Sequence, residues 1–298
     1  MHTQMRQFLA VALAAGLGVA AVSAAASEYE DEIEAWRVER EATLRADDGW
    51  LTVSALFFLR EGDNSFGSSQ RNDFVLPDLV PAEAGVFEYR GGTVVVRAPA
   101  GGTVTVDGEA VTTAQLYPAE RRLTLTWGPV SLWVHYSGER LAIRVRDTDT
   151  DIRKNFTGLD WYGVDPGYRV RGKFTPHTEP ITVKTMNILG DIETYTSTGY
   201  VTLTVAGTEM RMLPVNSGSQ LWFIMRDLTS GEETYSAARF LYADAPDAEG
   251  WTTVDFNMAY NPPCAFNPHT TCPLPPPDNR LDVRIEAGEK DYRGPSGH

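Results

Sequence analysis

The chain has 298 residues, 42% of them hydrophobic, and 40 acidic against 26 basic side chains give a formal net charge of −14. A surface of that sign repels phosphate backbones and anionic headgroups, which excludes nucleic acid and anionic lipid as partners and makes the acidity a solubility device. The length suits one large β domain or two smaller ones.

The first residues place Arg6 ahead of an apolar run from Phe8 to Val22, closed by Ser23-Ala24-Ala25-Ala26. A basic start, a short apolar middle and a small-residue end define a secretory signal peptide over residues 1–26, with cleavage expected after Ala24 or Ala26. The expected address is periplasmic or secreted. No later segment is long and apolar enough to be a membrane span.

Tyr29, Ile33, Trp36 and Leu44 recur at helical spacing, and Asp47-Asp48-Gly49 stops the pattern, so residues 27–49 are assigned to one amphipathic helix. From there the period changes to that of strands. Runs rich in β-branched and aromatic residues at 50–59, 92–98, 103–106, 123–127, 130–136 and 141–145 form an N-terminal β unit over residues 50–156. Asp107-Gly108 between two such runs predicts a two-residue hairpin. Further strands are predicted at 168–174, 181–185, 200–205, 210–215, 221–225, 234–241, 252–256 and 281–285, in a C-terminal β unit over residues 157–298. The predicted class is all-β: a short N-terminal helix, a small sandwich, then a larger barrel or sandwich.

Residues 255–290 concentrate polar, aromatic and proline side chains with both cysteines, Cys264 and Cys272. In an exported chain the favoured reading is a local disulfide, which in so short a loop contributes on the order of 2 to 3 kcal/mol. Zinc held by Cys264, His269 and Cys272 has three ligands where structural zinc takes four, so no metal is assigned; a catalytic thiol is the third reading. Seven prolines between Pro262 and Pro277 stiffen the loop and stop it from continuing a sheet. Asp255, Asn257, Tyr260 and Asn261 enter it from a predicted strand end. Arg239, on one strand face with Tyr235 and Ala237, is expected to turn inward towards Asp227 or Asp255, either as a structural pair or as a clamp for a ligand carboxylate or phosphate. Asp147, Asp149 and Asp151 open like a calcium loop, but Ile152 and Gly158 break the pattern, which leaves a solvated turn. His135 and His177 stand alone in sequence. No GxSxG, HExxH, phosphate-binding Gly-rich loop or paired CxxC occurs, and no cofactor is implied.

Gly49-Trp50-Leu51, Arg144-Val145-Arg146-Asp147, Arg239-Phe240-Leu241, Asp255-Phe256-Asn257, Ala259-Tyr260-Asn261-Pro262-Pro263-Cys264, Cys272-Pro273-Leu274-Pro275-Pro276 and Ala287-Gly288-Glu289-Lys290 resemble the bacterial and archaeal domain-of-unknown-function family 1684. The resemblance implies Arg239, Asp255, Asn257, Tyr260, Asn261, Cys264, Glu289 and Lys290 as a site. Met258 stands where that signature has a basic residue. Phe66-Gly67, residues 72–77 and Val106-Asp107-Gly108 are similar to a forkhead-associated sandwich, but Ser68 replaces the family's Arg and its Ser and His pair is absent from residues 81–85. Only the sandwich frame is carried over.

The resulting expectation is a binding protein whose Pro/Cys loop, with Arg239, Asp255, Asn257, Tyr260, Asn261, Glu289 and Lys290, takes an unknown small molecule or peptide. The alternatives are a hydrolase with Asp255 or Glu289 as general base near Arg239, and metal binding through Cys264, His269 and Cys272.

Overall fold

The computed structural model describes residues 27–294; the predicted signal peptide lies outside the described residues. The first element is helix α1, residues 27–45. It buries Tyr29, Ile33, Arg37 and Leu44, side chains one or two turns apart along one stripe. A 3-10 turn at Trp50–Thr52 leads into the first sheet.

Two antiparallel sheets then face each other. The six-stranded sheet has the order β1 (Val53–Phe58), β11 (Arg140–Asp147), β10 (Val130–Ser137), β9 (Leu125–Trp127), β6 (Val104–Val106), β7 (Glu109–Val111). The five-stranded sheet has the order β3 (Phe74–Val75), β2 (Gly62–Gly67), β4 (Gly85–Arg90), β5 (Thr93–Arg97), β8 (Thr113–Tyr117), with β3 parallel to β2. Phe66, Phe87, Val94 and Val96 from the smaller sheet meet Leu125, Leu132, Ile143 and Val145 from the larger in one buried core. The hairpin at Asp107-Gly108 forms as predicted, with φ of 48° and 89° at its two central residues. Helix α2 (Asp151–Lys154) follows, its backbone capped by Thr150, so the acidic Asp147–Asp151 stretch is a capped turn.

A second pair of sheets completes the fold. The four-stranded sheet runs β14 (Thr208–Met212), β13 (Ile192–Val205), β12 (Arg169–Met186), β18 (Trp251–Asp255), and the three-stranded sheet runs β15 (Val215–Ser217), β16 (Gln220–Met225), β17 (Arg239–Asp244). Their facing sides bury Val201, Leu203, Val254, Phe223 and Leu241 in a second core. The architecture is all-β, built from sandwiches, and no sheet among the described residues closes into a barrel.

Several strand predictions change, and the strand predicted at 210–215 divides between β14, which ends at Met212, and β15, which begins at Val215 in the other sheet. The two predicted at 168–174 and 181–185 are one strand, β12, whose register against β13 shifts between Pro176 and Ile181, because Pro176 and Pro180 lack the N–H that a regular ladder needs. The strand predicted at 234–241 begins only at Arg239: Thr229 Oγ1 donates to Asp227 Oδ1 at 2.7 Å and meets Thr234 Oγ1 at 2.8 Å, which closes a turn over those residues. Residues 281–285 form no ladder. They are tied by single bonds, Leu281 N to Arg226 O at 2.8 Å and Leu228 N to Val283 O at 3.0 Å, yet Leu281, Val283 and Ile285 are all buried as the alternation required.

Candidate functional site

Alternation along β11 sends Leu141, Ile143 and Val145 into the first core, so Arg144 and Arg146 occupy the opposite face of the six-stranded sheet. Trp133 on β10 stands opposite Arg144, and His135 opposite Ala142. This polar outer face meets the Pro/Cys loop. His135 Nε2 lies 3.2 Å from Thr271 Oγ1, and Arg144 Nη2 lies 3.5 Å from the same oxygen. Asn267 Nδ2 donates to Trp50 O at 3.0 Å, while Ile188 N donates to Cys272 O at 3.0 Å, so the loop is fastened on both sides.

A cavity of about 400 Å³ opens along this seam. One wall is aromatic: Trp222 on β16 stacks on Tyr242 of β17 with ring centres 6.0 Å apart, Tyr242 stacks on Tyr260 at 6.4 Å, and Phe240 and Tyr195 pack edge-on against Trp222 at 4.9 and 5.6 Å. Burial and then Tyr242 push the Tyr260 hydroxyl well above the usual phenol range. His135, Thr271 and Cys272 also line the cavity. The His135 imidazole is pushed down to about 3 by burial and by the charge of Arg144, so it is neutral throughout the physiological range.

Helix α1 supplies the cation of the cavity mouth. Arg40 places its guanidinium 4.5 Å from the centre of the Tyr260 ring, and its Nη2 donates to Asn261 O at 2.9 Å. Behind it sits Glu289, completely buried: Oε2 is 3.5 Å from Arg40 Nε and accepts from Asn261 N at 3.2 Å, while Oε1 has no hydrogen-bond partner. Burial pushes the Glu289 carboxyl up to about 7, with Arg40 opposing the rise.

The residues singled out from the sequence fall into separate groups. Tyr260 lines the cavity, and Asn261 and Glu289 hold Arg40 from behind. Asp255 and Asn257 clamp the start of α1: Tyr29 Oη donates to both oxygens of Asp255 at 2.9 and 2.8 Å and accepts from Asn257 Nδ2 at 2.9 Å. Asn257 also binds the backbone of Asp165 through both its amide atoms. Arg239 is enclosed in a network of its own, with Nη1 bonded to Asp227 Oδ2 at 2.8 Å and to Ile285 O at 3.0 Å, and Nη2 bonded to Ala287 O. Lys290 lies elsewhere, its ammonium 4.6 Å from the Tyr162 ring centre. Arg40, Tyr195, Trp222 and Tyr242 had no motif to mark them, and Arg144, quoted in the family signature, and His135, alone in sequence, were not assigned to the site, because all six come together only through packing.

The expected disulfide is not formed in this structure. Cys264 and Cys272 are adjacent buried thiols, joined by hydrogen bonds: the Cys264 backbone N–H donates to Cys272 Sγ at 3.2 Å, and the Cys264 thiol bonds the same sulfur. Among the described residues no group of three or more His, Cys, Asp or Glu side chains could hold a metal ion, so Cys264, His269 and Cys272 do not form such a set.

The fold and site thus define an all-β protein with an aromatic cavity at the seam between two sandwiches. Residues 154–290 match the family described as Protein of unknown function (DUF1684), and the chain belongs to that family. It is 30% identical to the uncharacterized protein from gene locus rrnAC0354 of Haloarcula marismortui, solved by solution NMR, over 46% of this chain and 78% of that one, with a TM-score of 0.39. A second similar structure is the FHA domain of FhaA, crystallised with the intracellular domain of Rv3910: 22% identity over 30% of this chain and 97% of that one, with a TM-score of 0.22, at which the likeness carries no argument. No curated protein matches the chain. No helix among the described residues is long and apolar enough to cross a membrane.

Proposed function

We propose that this is an exported binding protein of the cell envelope, whose cavity takes a small molecule or a peptide end that offers a flat group to the Trp222, Tyr242 and Tyr260 wall and a negative charge to Arg40. The observation that carries the reading is the cavity of about 400 Å³, a size suited to small ligands, with one aromatic wall and the polar side chains of Arg40, His135, Glu193 and Thr271 in its lining. Stacking on Tyr260 and the bond to Asn261 O fix the guanidinium in advance, so little ordering is left for ligand binding to complete. Export rests on the sequence of residues 1–26.

Trp50 and Trp222 both line the cavity, so intrinsic fluorescence reports occupancy. A panel of small carboxylates, phosphates and short peptides is screened this way. Binding is expected to weaken by at least about ten-fold in Arg40→Ala, roughly 1.4 kcal/mol, and to weaken likewise in Tyr242→Ala, whose side chain is 36% exposed and carries little of the core. Hits that bind both variants as tightly as the parent would overturn the reading.

The hydrolase alternative has one observation in its favour, the raised Glu289 carboxyl, which lies beside Arg40 rather than Arg239. It requires turnover of an ester, amide or phosphate that disappears in Glu289→Gln.

A further inference from the structure

Cys272 belongs to the cavity wall, and its sulfur is held by hydrogen bonds within its own loop, accepting from the Cys264 backbone and donating to Thr270 Oγ1. The Cys264 backbone N–H lies 3.2 Å away, the Cys264 thiol bonds it, and Thr270 Oγ1 is 3.6 Å away. Arg144 supplies a charge. That arginine is 5% exposed, its Nε has no hydrogen-bond partner, and its Nη2 approaches Thr271 Oγ1 at 3.5 Å. Burial lowers Arg144 to about 10, still a cation at neutral pH, and the group whose charge offsets that burial is Cys272. Reactive cysteines occupy electropositive surroundings that donate hydrogen bonds to sulfur and open onto solvent or a pocket.

We propose that Cys272 is a nucleophilic thiolate of the cavity wall, that Cys264 is its resolving partner, and that the pair exchanges with low-molecular-weight disulfides. Burial raises Cys272, but the bonds with Cys264 and Thr270 and the charge of Arg144 outweigh it and leave the thiol below its ordinary range, whereas bonding to Cys272 and burial hold Cys264 above it. The attacking and resolving roles follow from position: Cys272 lines the cavity, whereas Cys264 lies behind it and is completely buried. Cys272 S⁻ attacks one sulfur of R–S–S–R′, the S–S bond breaks, and R′S⁻ leaves a Cys272–S–S–R mixed disulfide. The Cys264 thiol then gives its proton to R′S⁻, its sulfur attacks Cys272, and RS⁻ departs. The two cysteines are oxidised to one disulfide and the small disulfide is reduced to two thiols.

The test uses the chain purified with both thiols reduced, iodoacetamide and hydroxyethyl disulfide as probes, and peptide mass spectrometry as readout. Cys272 is expected to be alkylated first. Arg144→Met is expected to slow that alkylation about ten-fold, the effect of one pKa unit on the thiolate fraction, and Arg144→Lys, which keeps the charge, to retain most of the rate. With hydroxyethyl disulfide, Cys264→Ser stops at a mixed disulfide on Cys272, the parent proceeds to the Cys264–Cys272 bond, and Cys272→Ser forms neither. The proposal is overturned if both cysteines react only at the rate of global unfolding, if Arg144→Met and the parent react alike, or if the native protein holds a Cys264–Cys272 bond that small thiols do not reduce. The alkylation and exchange assays are run without any cavity ligand and the fluorescence screen without a thiol reagent, so the two readings fail separately.

Discussion

Two buried arginines, Arg239 and Arg144, are handled in opposite ways. Arg239 is wholly enclosed, its two Nη atoms bond a carboxylate and two carbonyls while Nε has no hydrogen-bond partner, and its partner Asp227 is itself bonded by Thr229. Arg144 is 5% exposed and, among the described residues, pairs with no carboxylate: it approaches a hydroxyl at 3.5 Å and lies 5.8 Å from the Trp50 ring centre. A buried charge that is closed on itself builds a frame. One left open beside a cavity keeps its field for whatever enters, here the Cys272 sulfur and the cavity contents.

The frame side of this contrast gives the largest effect. Arg239→Met leaves the Asp227 carboxylate buried without its cation, and should lower unfolding stability by about 3 to 5 kcal/mol in urea denaturation. Asp227→Asn should cost a comparable amount; a small loss in either would mean that the network adds nothing beyond packing.

Glu289 belongs to neither extreme, since its long contact to Arg40 does not offset its burial. Below the ordinary 4.5 it is protonated in both states and contributes no pH dependence. Between 4.5 and about 7 the unfolded chain releases the proton while the folded one keeps it, so stability falls as pH rises through that window. At about 1.4 kcal/mol per pKa unit the fall amounts to about 3 kcal/mol. Glu289→Gln should remove the slope, gaining on the parent at pH 8 and matching it at pH 4. Parallel curves for the two proteins would exclude the raised carboxyl.

The clamp on α1 ranks next. Tyr29→Phe deletes the hydroxyl that joins Asp255 to Asn257 and leaves both buried groups short of a partner, an expected loss of about 1 to 3 kcal/mol. Wild-type stability would show that Arg169, 3.9 Å from Asp255, takes over the carboxylate.

These residues also show what could be read from the chain. The alternation of β11 and the Asp-Gly hairpin are local consequences of backbone geometry, so they were legible, and so was the inward turn of Arg239, with its partner left open between Asp227 and Asp255. The signature around Asp255, Asn257, Asn261 and Glu289 was legible as a cluster, but not its purpose. Its partners, Tyr29 and Arg40, lie on a helix more than two hundred residues earlier, and side-chain period says nothing about which sheet a helix face will meet. The short strands β2 and β4 were missed because Gly62, Gly67 and Gly85, all at positive φ, interrupt the β-branched pattern that marks a strand. The aromatic wall was invisible for another reason: Trp222, Tyr242 and Tyr260 each read as an ordinary strand or loop residue until β16, β17 and the bridge between Phe240 and Tyr260 place them side by side.

The smallest expected effect on stability is the most discriminating one. If Arg144 were a second framework arginine, Arg144→Met would unfold the protein as Arg239→Met does. It leaves no carboxylate behind, because it had none, and it removes a desolvated cation while retaining much of the apolar volume that packs near Trp50. Stability should therefore change by less than about 1 kcal/mol or rise, while the field at Cys272 is lost and the imidazole of His135, relieved of its neighbouring charge, moves back up from about 3. An NMR titration of the His135 ring reads that shift directly. A variant that keeps its stability but leaves the His135 titration unmoved would place the charge of Arg144 elsewhere, and with it the reason for a cation on that face of the sheet.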